Sequence, residues 1–271
     1  MSTNPTQSVV IPVARCDDTA APARQLIISG FHRSGTSLTT QALFNAGLVL
    51  GEKLVAPSPA NPDGHFEDQD IVRLHDDILH SQHRTWYSTG QPNTPDPDQF
   101  QTRTDDIIQR YQRNRAATIW GFKDPRTCLF LDWWHNSLPN PAAVLIYRDY
   151  WSCYESLRHR QAQQIAHNPV FHKQSTFFWT DPLLPLQLWL DHNQALLNYA
   201  QRNPETSLIV SHQAIIEGFD LVRECNQRFA LDLAPDQPTG IRKDNNRQRA
   251  PVRFSNNIPE ELQRQLDNTQ A

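Results

Sequence analysis

Short apolar runs recur along the chain, and each is cut off by a glycine or a polar residue. Residues 25–29 (QLIIS) stop at Gly30, 118–122 (TIWGF) at Lys123, 142–147 (AAVLIY) at Arg148 and 207–211 (SLIVS) at His212. Runs this short, apolar throughout rather than alternating, predict strands buried on both faces. Between them, apolar residues recur at three- and four-residue spacing. Leu38, Ala42, Leu43 and Ala46 predict a helix over 36–46 that Gly47 ends, and Ile71, Leu74 and Ile78 predict another after Glu67. Further helices are predicted near 103–115 (Ile107, Ile108, Tyr111 inward), through Leu186, Trp189, Leu190, Leu196 and Leu197, through Val222, Cys225 and Phe229, and at Leu262 and Leu266. Residues 88–100, rich in Pro, Gln and Asp, read as a surface connection, and 161–182 as an irregular flap over a site. Strands alternating with helices predict a three-layer α/β fold, its central, mainly parallel sheet flanked by helices.

Composition narrows the setting. At 271 residues, 38% of them hydrophobic, the chain is long enough for a substantial core. The simplest organisation is a flexible polar leader over 1–22 and one domain over 23–271. The leader lacks the basic start and apolar stretch of a secretory signal, and no apolar run approaches the roughly 20 residues that span a bilayer. Cys16, Cys128, Cys153 and Cys225 form no CxxC pair and no metal-ligand spacing, so reduced thiols and a cytoplasmic location are expected. A net charge of −4 argues against nucleic acid as a partner. An anionic ligand would have to be held by local arrangement rather than by the overall field.

One such arrangement follows the first strand. In GFHRSGTS (residues 30–37) two glycines allow close backbone approach, Ser34, Thr36 and Ser37 supply hydroxyls, Arg33 supplies a cation, and a helix N-terminus follows. The glycine spacing is that of GxxxxGK[ST], which makes the predicted fold P-loop-like. However, Thr36 stands where the lysine on the β/γ-phosphates should be, and this disfavours ATP chemistry. A Gly/Ser turn with an exposed arginine is the plainer alternative.

The segment GFHRSGTSL resembles the 5′-phosphosulfate loop of the sulfotransferases, in the form found in bacterial members and in Golgi carbohydrate and tyrosylprotein sulfotransferases. The resemblance runs in motif order from about residue 25 to 233. It implies PAPS (3′-phosphoadenosine-5′-phosphosulfate) as cosubstrate, PAP as product, no required metal, and Arg33, Ser34, Gly35, Thr36 and Ser37 as cofactor-binding residues. PAPS needs a second anion site, which the family builds from a strand-end arginine and a serine eight residues on. Arg148 and Ser156 match that spacing, although Asp149-Tyr150 replaces the usual Asn-Pro. A surface pair of Arg148 with Asp149 is the other reading. Lys123-Asp124-Pro125-Arg126 resembles the family's Lys-Asp-Pro segment, whose lysine reaches the transferring group. Arg126 stays undecided between ligand contact and an acidic neighbour.

Sulfuryl transfer to a hydroxyl calls for a base. Asn61-Pro62-Asp63-Gly64-His65-Phe66-Glu67 resembles the NPxGxxE segment of bacterial sulfotransferases, which makes Glu67 the first candidate, His65 the second and Asp124 the third. A helix-opening acid is the alternative role for Glu67. The catalytic set expected is therefore Glu67, Lys123, Arg33 and His65. His212-Gln213 replaces the family's tyrosine-glutamate, and the basic stretch 242–253 is expected either to cap the 3′-phosphate or to be a solvated tail. The reading implies a small-molecule or glycan acceptor, with Trp86, Trp133, Trp134, Trp151 and Trp179 either stacking on it or, as most tryptophans in such a domain do, filling the core, and leaves a homodimer open. A P-loop-type kinase acting on another phosphorylated ligand is the rival function, and an anion-binding module without catalysis a further one.

Overall fold

The computed structural model describes residues 23–57, 64–113, 119–167, 172–235 and 258–270, with side chains excepted at 167, 172–175 and 258. The leader, Cys16, residues 61–63, Thr118 and the basic stretch 242–253 lie outside the described residues. Four parallel strands, β1 (Arg24–Ser29), β2 (Ile119–Lys123), β3 (Pro141–Tyr147) and β4 (Ser207–Ser211), form one sheet in the order β2-β1-β3-β4. Their register sets Ile28 against Lys123, Ser29 against Leu145, and Tyr147 against Ser211. All four strands therefore end on one edge, where Gly30, Asp124, Arg148 and His212 follow.

Period-two alternation sends neighbouring residues of each strand into different cores. Leu26, Ile28, Val144, Ile146, Leu208 and Val210 face α1 (Thr36–Asn45), α8 (His212–Ile216) and α9 (Leu221–Phe229). Ile27, Trp120, Phe122, Leu145 and Ile209 face the larger layer. That layer contains α2 (Gln69–Ser81), α3 (Pro97–Gln112), α4 (Leu131–Ser137), α5 (Tyr150–His167), α6 (His172–Thr180), α7 (Leu184–Arg202) and α10 (Ile258–Thr269). Burial on both faces is why the strands read as unbroken apolar runs. Among the described residues, no helix is long and apolar enough to cross a membrane.

Two sequence expectations need correction. The polar stretch 88–100 is not loop throughout, because α3 opens at Pro97, six residues before the expected start. Asp96 accepts from the Asp98 amide as N-cap, and a proline in the first turn lacks only a donor that would be unpaired there. The described part of 161–182 is not irregular either: 161–167 and 172–180 are helical, while 168–171 lie outside the described residues. Asp149 accepts from Ser152 N at 2.8 Å and starts α5, whose Gln-rich C-terminal half suits a helix, and α6 follows. Phe178, fully buried, ties α6 down by stacking on Trp86 at 5.5 Å. The polar composition of both stretches hid their helical content.

Candidate active site

The chain leaves β1 toward β2 on one side and leaves β3 toward β4 on the other, so the connections diverge between β1 and β3. Open parallel sheets bind ligands in the crevice at such a switch point, outside the strand C-termini. The loop after β1 lines it. A side chain at Gly30 would collide with the Ile146 carbonyl and come within 2.6 Å of Ser34 Oγ, so only glycine lets β1 run on beside β3. Gly35, at φ 99°, caps α1 in the left-handed region, and no side chain takes up the first amides of the helix. Arg33 is also left-handed, at φ 70°, a cost of about 1–3 kcal/mol for a non-glycine residue that the surroundings must hold in place. The Ser34 hydroxyl is fully buried and makes no hydrogen bond among the described residues. An orphaned hydroxyl, an uncapped helix start and a nearby guanidinium together fit an oxyanion.

Arg148, at the end of β3, donates from Nη1 to the Arg33 carbonyl at 3.3 Å, and Arg33 Nε donates to Ser156 Oγ at 2.9 Å. The second-phosphate candidates therefore lie directly against the loop. They do not share one wall, however. A cavity of about 350 Å³ between the ends of β3 and β4, α5 and α10 is lined by Arg148 together with Ser152, Ser211 and His212, while Ser156 points to Arg33 instead. Ser152 was missed in the sequence, although it lies one helical turn before Ser156. His212, with no role assigned from sequence, packs against Gly35 and lines the same cavity.

The KDPR segment divides into two pairs. Lys123, 2% exposed, donates to Glu67 Oε1 at 2.7 Å, joining two expected catalytic residues that lie 56 positions apart. Two main-chain bonds hold Glu67 there, Val55 N to Glu67 O at 2.7 Å and Gln69 N to Lys53 O at 2.9 Å, beside Phe66 at a left-handed φ of 57°. Asp68 rather than Glu67 caps α2, accepting from Asp70 N at 2.8 Å, so the helix-opening role falls to the neighbour. Ser37 Oγ donates to the His65 carbonyl at 3.4 Å, which draws His65 and Glu67 to the start of α1. Burial lowers the His65 pKa, against the pull of Glu67, so its ring favours the neutral form.

Asp124 differs. Fully buried, it accepts from His75 Nδ1 at 3.0 Å, from Arg126 Nε at 3.1 Å and from Arg126 N at 2.9 Å. His75 Nε2 in turn accepts from Trp134 Nε1 at 2.8 Å, and Arg126 reaches Asp76 at 3.2 Å. Burial alone would raise the Asp124 carboxyl, but Arg126 and His75 outweigh it and hold it well below the usual carboxylate range. Trp133 and Trp134 are likewise spent on the core, donating to Thr104 and His75. Cys128, Cys153 and Cys225 are buried and unlinked, and burial pushes each thiol up to about 12.

Sequence reading also missed His32 and Arg160. His32 is buried with Nε2 unpartnered among the described residues, its ring 4.5 Å from that of Trp86. Arg160 lies one turn beyond Ser156 on α5, its guanidinium carbon 6.0 Å from the centre of the Trp86 ring. An apolar-periodicity reading passes over both, because neither marks a core face.

No protein-family model matches the chain, and no curated protein matches its sequence. Solved structures of similar architecture include a sulfotransferase from Alicyclobacillus acidocaldarius, 12% identical over 93% of both chains with a TM-score of 0.47. The sulfotransferase domain of the Synechococcus PCC 7002 olefin synthase is 13% identical over 93% of this chain and 96% of that one, also at 0.47. A Mycobacterium tuberculosis H37Rv sulfotransferase is 15% identical over 78% and 68%, at 0.41. At such identities the functional reading rests on this chain's own residues.

Proposed function

We propose that this chain transfers the sulfuryl group of PAPS to a hydroxyl, or an amine, of a small-molecule or carbohydrate acceptor. The observation that carries the reading is the Lys123–Glu67 contact at 2.7 Å, beside an anion-binding loop that lacks the P-loop lysine. The loop amides, Arg33 and the hydroxyls of Ser34, Thr36 and Ser37 hold the 5′-phosphosulfate. Arg148, with Ser152 or Ser156, takes the 3′-phosphate, and the cavity of about 350 Å³ beside it is of a size for part of a nucleoside. In the transfer, the acceptor oxygen forms a bond to sulfur as the bond from sulfur to the bridging phosphate oxygen breaks, and PAP leaves. Lys123 neutralises charge growing on that bridging oxygen, and Glu67 takes the acceptor proton. Asp124 is a poor base, since its lone pairs are occupied by Arg126 and His75. His65, held toward its neutral form, is the alternative acceptor of the proton.

Glu67→Gln tests the reading: PAP affinity is expected to stay within about twofold while turnover falls roughly a hundredfold or more. Near-normal turnover removes Glu67 as base. Thermal shift with PAP against ATP and magnesium separates the sulfuryl-transfer reading from a kinase, since preferential stabilisation by ATP overturns the assignment of PAPS.

A further inference from the structure

We propose that Arg160, set against the ring of Trp86, recognises an anionic oxygen group on the acceptor, a carboxylate in the simplest case, so that the molecule modified is a hydroxy acid rather than a neutral alcohol. This rests on the sulfuryl-transfer reading of the site. Two cations near the crevice contact carboxylates directly: Lys123 meets Glu67, and Arg126 meets Asp124 and Asp76. Arg160 is different. No hydrogen bond or ion pair joins it to any described residue, and its partner is the Trp86 ring, 6.0 Å from its guanidinium carbon. Burial, and then the nearby Arg33, hold Arg160 below its ordinary value although Glu67 pulls the other way, so an incoming oxyanion relieves a charge that no carboxylate among the described residues contacts directly.

Its position along α5 distinguishes acceptor from cosubstrate. Ser152 lines the cavity by Arg148, Ser156 meets Arg33 at the loop, and Arg160 comes one turn later on the same helix face. At 1.5 Å per residue, Ser152 and Arg160 are about 12 Å apart along the axis, with the anion loop between them. Arg160 is thus on the side of the loop away from the nucleotide cavity, where an attacking group enters in line. The surroundings suit a flat, partly apolar molecule. Trp86 packs on Phe178 at 5.5 Å and on Tyr87 at 5.5 Å, and His32, 8% exposed with Nε2 unpartnered among the described residues, touches Trp86 at 4.5 Å. One cation, one neutral ring nitrogen and an aromatic wall make a site for an oxyanion attached to an apolar body.

The test is binding of 4-hydroxyphenylacetate and its neutral amide, each titrated by calorimetry into the free and the PAP-loaded protein. Wild type is expected to bind the acid at least about tenfold more tightly than the amide. Arg160→Gln, which keeps most of the stem and loses the charge, should bring that ratio near one and leave the affinities for PAP and PAPS unchanged. Arg160→Lys should keep part of the preference, and serves if the glutamine variant does not fold. Absence of an acid preference in wild type overturns the proposal, as does an undiminished preference in Arg160→Gln. Weakened PAP or PAPS binding in the variant also overturns it, because Arg160 would then be a cosubstrate contact. A wild type that does not bind PAP sinks the sulfuryl-transfer reading instead, while the acid-to-amide ratio on the free protein still decides the role of Arg160.

Discussion

Two cation–carboxylate pairs issue from one four-residue stretch, Lys123 to Arg126, and they are built in opposite ways. Asp124 is closed, with three protein donors on its oxygens, a histidine fixed by a tryptophan behind it, and an arginine that continues to Asp76. Lys123 and Glu67 are joined by a single hydrogen bond, and the Glu67 side chain keeps 14% of its surface exposed. A network with three donors on one buried carboxylate fixes the strand end in place. A pair joined by a single bond can exchange partners when a polyanion and a hydroxyl arrive. Residue type does not separate structure from chemistry here, since both pairs join a base to an acid; the degree of closure does.

Breaking the closed pair should have the largest effect. Asp124→Asn leaves the buried Arg126 with only the more exposed Asp76 as counter-charge and is expected to cost about 3–5 kcal/mol of unfolding free energy, read by urea denaturation. Loss below about 1 kcal/mol would show that the network is not structural. Breaking the open pair should reverse the pattern. Lys123→Met is expected to lower turnover at least about a hundredfold, about 2.7 kcal/mol of barrier, with a smaller change in unfolding free energy than Asp124→Asn. Equal losses of stability in the two variants would erase the distinction.

Acid separates the regions in a further way. Burial depresses the pKa of His32, of His65 and of His192, the last to about 4, and His192 packs against Phe31 of the loop with ring centroids 5.0 Å apart. Below the unfolded histidine value of 6.5 the unfolded chain binds protons that the folded chain refuses, so stability falls as pH drops from about 6.5 toward 4. His192 alone accounts for about 3 kcal/mol of that fall. Asp124, with a depressed carboxyl, keeps its contribution until pH drops below 3.8. Urea midpoints measured from pH 7.5 to 4.5 should therefore slope in wild type, flatten in His192→Asn, and keep their slope in Asp124→Asn. A flat wild-type profile counts against the buried neutral histidines.

The smallest effect concerns the loop. Ser156→Ala removes the hydroxyl that Arg33 Nε reaches at 2.9 Å and is expected to weaken PAP binding by about fivefold, near 1 kcal/mol, in calorimetry. If Ser156 instead contacts the 3′-phosphate directly, the loss should exceed tenfold.

Much of the fold was legible in the sequence because periodicity is local. The four apolar runs are the four strands to within one or two residues, and Ile71, Leu74 and Ile78 lie on the buried face of α2. Gly30 and Gly35 were legible as loop glycines because a close approach and a left-handed φ leave few other residues able to serve. The helical content of 161–182 was not legible, since polar helices carry a weak apolar period and α6 depends on Phe178 meeting Trp86, distant in sequence. Ser152 and Arg160 were missed for a related reason. They are ordinary polar residues of α5 until the helix is set against the loop.

The sequence by itself determined the strand–loop–helix unit, the missing P-loop lysine, and the presence of Lys123, Glu67, Arg148 and Ser156 as candidates, because each follows from residue type and spacing along a local stretch. Only the tertiary structure decided which of these meet. Glu67 meets Lys123 while Asp124 is taken up by His75 and Arg126, Ser156 turns to Arg33, and Arg160 is left with no carboxylate in direct contact among the described residues. Hydrogen-bond satisfaction depends on groups brought together across 49 to 123 positions of chain, and no local pattern records it.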